Sequence, residues 1–111
     1  MVVYEFLLSG SEKNMGNLYG EKEKNKLIEL LTEELPSLRA KIGITQAELC
    51  EIVGISRQTY SSIETRKRKM SWNIYLSLIL FFTHNEKTEP VIDNIGAFPD
   101  KLKESLNINK R

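Results

Sequence analysis

Apolar residues in this 111-residue chain recur mainly at helical spacing. From Glu21 onward, Leu27, Leu31, Leu35, Leu38 and Ile42 fall three or four apart, which predicts a long amphipathic helix. Pro36 lies inside it. A proline there removes one backbone donor and pushes Leu35 from helical angles, so a kinked helix, or two helices meeting at Leu35–Pro36, is expected. Gly43 closes the segment as a left-handed residue just past its end. Thr45 and Glu48 stand three apart as a reciprocal capping box and open a helix from Gln46 to Val53, which Gly54 ends. Ser56 caps the next helix, Arg57 to about Thr65. Only Gly54 and Ile55 separate Val53 from that cap, so the two helices must cross steeply. Ser71 opens a fourth helix, Trp72 to Thr83. Shorter segments follow at Glu89–Gly96 and Pro99–Leu106, with Pro99 suited to a first helical position.

These elements predict an all-α bundle of about five to six short helices around a central helix-turn-helix, in one domain with a modest core. Residues 1–20 show neither clear periodicity nor a cap and read as a flexible N-terminal arm; a start at Met15 would remove the first 14 of them. Residues 21–83 carry the helix-turn-helix domain, and residues 84–111 form a helical tail and possible dimerisation element.

Charge changes the picture more than composition does. The net charge is +1, which argues against a polycation that coats nucleic acid. Between residues 39 and 69, however, Arg39, Lys41, Arg57, Arg66, Lys67, Arg68 and Lys69 face only Glu48, Glu51 and Glu64, a net +4 that leaves −3 for the rest. Cys50 is the only cysteine, so no internal disulfide can form and a reducing, cytoplasmic setting is expected. No apolar run approaches the roughly 18–20 residues of a membrane span. Met1–Leu8 is short, lacks a basic flank and contains Glu5, which makes a poor signal peptide.

The two helices on either side of Gly54 can lock together through Ala47, Leu49, Cys50, Ile52, Val53, Ile55, Tyr60 and Ile63. That leaves Arg57, Gln58, Thr59, Ser61 and Ser62 on the second of them, hydrogen-bonding side chains that no core needs. Major-groove base edges present the donor and acceptor patterns such residues read: Arg at guanine, Gln at adenine, Ser or Thr at either. These five are the expected base contacts. Gln46 sits at a helix N-terminus, where exposed N–H groups and the dipole favour phosphate; Ser56 is placed with it. The run Arg66, Lys67, Arg68 and Lys69 follows the groove helix and is expected to neutralise phosphates, which sets register without reading sequence.

The stretch LRAKIGITQAELCEIVGISRQTYSSIETRKRKM resembles the Cro/lambda-repressor-like (XRE-type) helix-turn-helix family, whose pattern is met by Arg39, Thr45, Gln46, Leu49, Gly54, Ser56 and Glu64. The resemblance covers about a third of the chain as motif. It implies a lambda-repressor-like bundle and a transcriptional regulator of double-stranded DNA, a repressor rather than an activator, acting in the cytoplasm at the nucleoid. It also implies that Gln46 bonds the DNA backbone and that Arg39 and Glu64 form an ion pair. The chain departs from the family pattern at Thr65, where Asn or Gly is frequent, and at Met70, where proline is frequent. A protein-interaction adaptor or antitoxin reusing the same fold is the alternative function.

Nothing in the sequence points to catalysis. No nucleophile–base pair, phosphate-cradling glycine loop or paired catalytic carboxylates stand out, and His84 has no Cys or carboxylate at ligand spacing, so no metal and no cofactor are expected. The expected partners are a palindromic DNA operator and a second copy of the chain, with no membrane. Along the fourth helix, Trp72, Tyr75, Leu76 and Ile79 suit the domain's own core, while Ile74, Leu78 and Phe81 make a second stripe widened by Leu80 and Phe82. Val91, Ile92, Ile95, Phe98, Leu102 and Leu106 of the tail can cover that stripe within one chain; otherwise a homodimer does, setting two groove helices about 34 Å apart.

Overall fold

The structure, a computed structural model, describes residues 19–107. The expected N-terminal arm therefore lies outside the described residues except for Tyr19 and Gly20. Among the described residues the chain forms six helices and no strand: α1 Glu21–Ile42, α2 Gln46–Val53, α3 Arg57–Glu64, α4 Trp72–Thr83, α5 Glu89–Ile95 and α6 Asp100–Ser105. No helix among them is long and apolar enough to cross a membrane.

The starts of α2, α3 and α4 are set by side-chain caps. Thr45 and Glu48 complete a capping box, Ser56 accepts from the Thr59 amide, and Ser71 accepts from the Ile74 amide. Gly54 ends α2 at φ 85°, in the left-handed region that glycine enters without steric cost. The core is one cluster. Leu27, Ile28, Leu31, Leu35 and Leu38 of α1 meet Leu49 and Cys50 of α2, Tyr60 and Ile63 of α3, and Tyr75, Leu78, Ile79 and Phe82 of α4. Ile92 and Leu102 add the tail to it.

Pro36 neither breaks α1 nor splits it; the helix runs unbroken from Glu21 to Ile42. Leu31, Leu35 and Leu38 flank the proline and are wholly buried. Burial of such side chains contributes about 1.5–3 kcal/mol each, which outweighs the roughly 3 kcal/mol of an interior proline. Pro99 stands at the N-cap of α6 rather than inside its first turn, because its ψ of 152° is extended and the helix starts at Asp100. Two residues assigned to the α2–α3 interface are not in it. Ile52 is 63% exposed and Ala47 is exposed, so Leu49, Cys50, Tyr60 and Ile63 do the locking, with half-buried Val53 and Ile55 packed against them.

The tail folds back over α4. Helix α5 packs against both α4 and α1. Buried Thr88 donates its hydroxyl to the Phe82 carbonyl at 2.6 Å, and the Tyr75 hydroxyl donates to the Ala97 carbonyl. Leu78 is wholly buried as a result, and Ile74 and Phe81 are half-buried. Most of the second stripe on α4 is thus covered within the chain, and Leu80, 61% exposed, is what remains bare.

Candidate nucleic-acid interface

Helix α3 has two unlike faces. Tyr60 and Ile63 point inward and are wholly buried. Opposite them run two stripes at four-residue spacing, Arg57 with Ser61 and Gln58 with Ser62. Arg57 and Gln58 are exposed, and Ser61 and Ser62 are half-buried. Thr59 lies at the edge of this face, accepting from the Ser56 hydroxyl at 2.8 Å and from Arg68 Nη1 at 3.5 Å. Among the expected base contacts, Thr59 is thus the one whose side chain is joined to the basic loop.

Beneath this surface Glu64 gathers three helices. Arg39 Nε and Nη2 donate to its two carboxylate oxygens at 2.9 Å each, a bidentate pair across 25 residues. Arg39 Nη1 also reaches the Ile44 carbonyl at 3.2 Å. The Tyr60 hydroxyl donates to Glu64 Oε2 at 2.7 Å, and Gln46 Nε2 donates to Oε1 at 2.9 Å. Burial alone would raise the Glu64 pKa, but the bonds from Arg39, Tyr60 and Gln46 together hold it below its ordinary value. Burial, then the neighbouring carboxylate, pushes the Tyr60 phenol far up, so it remains a donor. The Cys50 thiol is likewise raised by burial and stays protonated, as suits a core residue.

The other sequence-expected phosphate residues divide into two groups. The Ser56 hydroxyl is turned to Thr59, so at the start of α3 the unbonded donors are the amides of Arg57 and Gln58, which precede the first intrahelical bond. Beyond α3 the loop closes in a definite motif. The Arg66 amide donates to the Ile63 carbonyl at 3.0 Å and the Lys67 amide to the Ser62 carbonyl at 2.9 Å, the paired bonds of a Schellman cap. The left-handed residue of this cap is Arg66, at φ 66°, not the preceding Thr65 where the family pattern has Asn or Gly. Arg66 then turns to α1 and pairs with Glu29 at 2.5 Å and Glu33 at 3.4 Å, while Lys69 bonds the Asn25 side chain of the same helix. Lys67 has no side-chain partner among the described residues and Arg68 reaches only Thr59, so these two face outward beside α3.

The sequence points Gln46 at phosphate but shows neither its bond to Glu64 nor the roles of Tyr60, Asn25, Glu29 and Glu33. The only advance sign of the last three is their spacing of four along α1, on the side away from the Leu27–Leu31–Leu35 stripe.

A capped, two-helix crossing with a polar outer helix and a basic loop defines a helix-turn-helix DNA-binding domain. Residues 37–71 match the family model described as Helix-turn-helix, so over that stretch the chain carries a Cro-like (XRE-type) domain, one of a DNA-binding and typically non-enzymatic family. Neither a curated protein nor a solved structure matches the chain.

Proposed function

We propose that this protein is a sequence-specific regulator of transcription that inserts α3 into the major groove of double-stranded DNA. The observation that carries this reading is the division of α3. Tyr60 and Ile63 are wholly buried, while the side chains of Arg57, Gln58, Ser61 and Ser62 have no hydrogen-bond partner among the described residues. Arg57, Gln58 and Thr59 lie in the first turn, the part of such a helix that reaches base edges. Ser61 and Ser62 extend the same face one turn on. Lys67 and Arg68 hold phosphates on one side. On the other side Gln46 serves, because its Nε2 carries a second hydrogen beyond the one given to Glu64. At the start of α3 the amides of Arg57 and Gln58 take the phosphate role in place of the Ser56 hydroxyl, which is turned to Thr59. The role as repressor rather than activator, and the setting at the nucleoid, rest on the motif's resemblance to the Cro/lambda-repressor-like family.

The proposed assembly is a homodimer formed through α4 and the tail. Ile52, Val53, Leu80 and Phe81 line one shallow apolar hollow between α2 and α4, and Leu106 of the tail is also exposed. A second copy seated there would place two α3 helices on successive major grooves. Selection of bound sequences from random duplex DNA tests the whole reading. The expected product is a short symmetric motif whose half-sites lie about one helical turn, 10 base pairs, apart. No enrichment would reject it in favour of a protein-interaction adaptor. Leu80→Glu should leave the fold intact and lower sedimentation of a dimer to that of a monomer.

A further inference from the structure

Asn25, Glu29 and Glu33 form a ridge along one side of α1, each one turn from the next. The first and last cations of the basic loop lie on it: Lys69 on Asn25, and Arg66 on Glu29 and Glu33. The loop backbone brings Arg66 within reach of this ridge, and the ion pairs then hold its side chain there. Arg66 takes up the left-handed position of a Schellman cap, and the Lys67 and Arg68 amides both donate to the Ser62 carbonyl. A left-handed arginine is disfavoured where glycine is available, and backbone strain of this kind collects where position matters to function. Arg66 and Lys69 against Glu29 and Glu33 leave this ridge with no net charge, so it offers a phosphate no net attraction.

We propose that Glu29 and Glu33 set specificity: they hold Arg66 against α1, as Asn25 holds Lys69, so the loop offers the duplex Lys67 and Arg68 alone and sequence-independent attraction stays weak beside base reading. Resting on the DNA-binding reading above, this makes Arg66 a positioning residue and removes it from the phosphate ligands. Each phosphate contact steepens the dependence of log affinity on log salt by about 0.9, so the number of engaged cations can be counted without knowing the operator.

The test measures that slope for the full chain on a mixed-sequence duplex of roughly two helical turns. Arg66→Ala should leave the slope of the wild-type protein unchanged. Glu29→Gln with Glu33→Gln should free Arg66 and steepen the slope by about 0.9, a further gain of roughly threefold on a fourfold dilution of salt. Adding Arg66→Ala to that pair should restore the wild-type slope. All three side chains are more than two-fifths exposed, so the variants keep the fold. A slope lowered by about one unit in Arg66→Ala would overturn the proposal, because Arg66 would then be a phosphate ligand. So would a steeper slope that persists in the triple variant, because bulk charge alone would explain it. Wild-type binding with no salt dependence would overturn the DNA-binding reading itself.

Discussion

Arg39 and Arg66 each meet glutamate across a long gap in sequence, one pair inside the junction of α1 with α3 and the other on the outer side of α1. The inner pair is bidentate, with side-chain exposures of 20% for Arg39 and 8% for Glu64, and Tyr60 and Gln46 fill the carboxylate's remaining positions. The outer cluster has 45% exposure at Arg66, 63% at Glu29 and 71% at Glu33. Water screens the second and not the first, so the same chemistry serves different ends. The inner pair fixes the angle at which α3 leaves the domain. The outer cluster contributes little to stability and acts on the field that DNA meets.

The largest effect should come from cutting the inner pair. Arg39→Ala leaves a carboxylate with two neutral donors in a partly buried site and should cost about 3 kcal/mol in denaturant unfolding. A loss below about 1 kcal/mol would make it equivalent to a surface pair and erase the contrast. The same site should answer to acid. The folded Glu64 carboxyl titrates below its ordinary value of 4.5, so its contribution is complete above that pH and is lost as pH falls through the lower folded value. Unfolding midpoints of the wild type should therefore drop more steeply between neutral pH and the acid range than those of Glu64→Gln. Equal acid sensitivity would remove Glu64 from the network.

A smaller effect separates the two left-handed positions that bracket α3. Gly54→Ala has open space around it, so its cost is backbone strain alone, about 1 kcal/mol. Arg66→Gly relieves strain of that kind and gives up an exposed ion pair, so stability should be unchanged or raised by less than about 1 kcal/mol. Marked destabilisation by Arg66→Gly would show that the outer cluster carries structural weight after all.

The local frame of the motif was legible in the sequence because short-range chemistry decides it. Thr45, Ser56 and Ser71 could cap only the helices that follow them, and Gly43 and Gly54 mark where the chain must turn left-handed. What periodicity could not show was set over longer range. Pro36 reads as either a kink or a junction of two helices, and the burial of Leu31, Leu35 and Leu38 on both sides of it keeps the segment one helix. Ile52 reads as interface because hydrophobicity carries no direction, and it faces solvent. The run from Arg66 to Lys69 reads as four equal cations, yet Glu29, Glu33 and Asn25 of α1 take up the first and the last of them. Resemblance to a family implied the partnership of Arg39 with Glu64, whereas Glu29 and Glu33 belong to the flanking helix, before the motif begins.

Base reading by α3 is tested most directly through Arg57. Its affinity contribution should be compared on a duplex taken from the sequence selection and on a mixed-sequence duplex of equal length, at one salt concentration. Arg57→Ala should lose about 1–3 kcal/mol on the selected duplex and relax preference at a single base position, with a much smaller loss on the mixed sequence. Equal loss on both would mean that Arg57 only neutralises phosphate, and would contradict the assignment of the Arg57–Ser62 face to the bases.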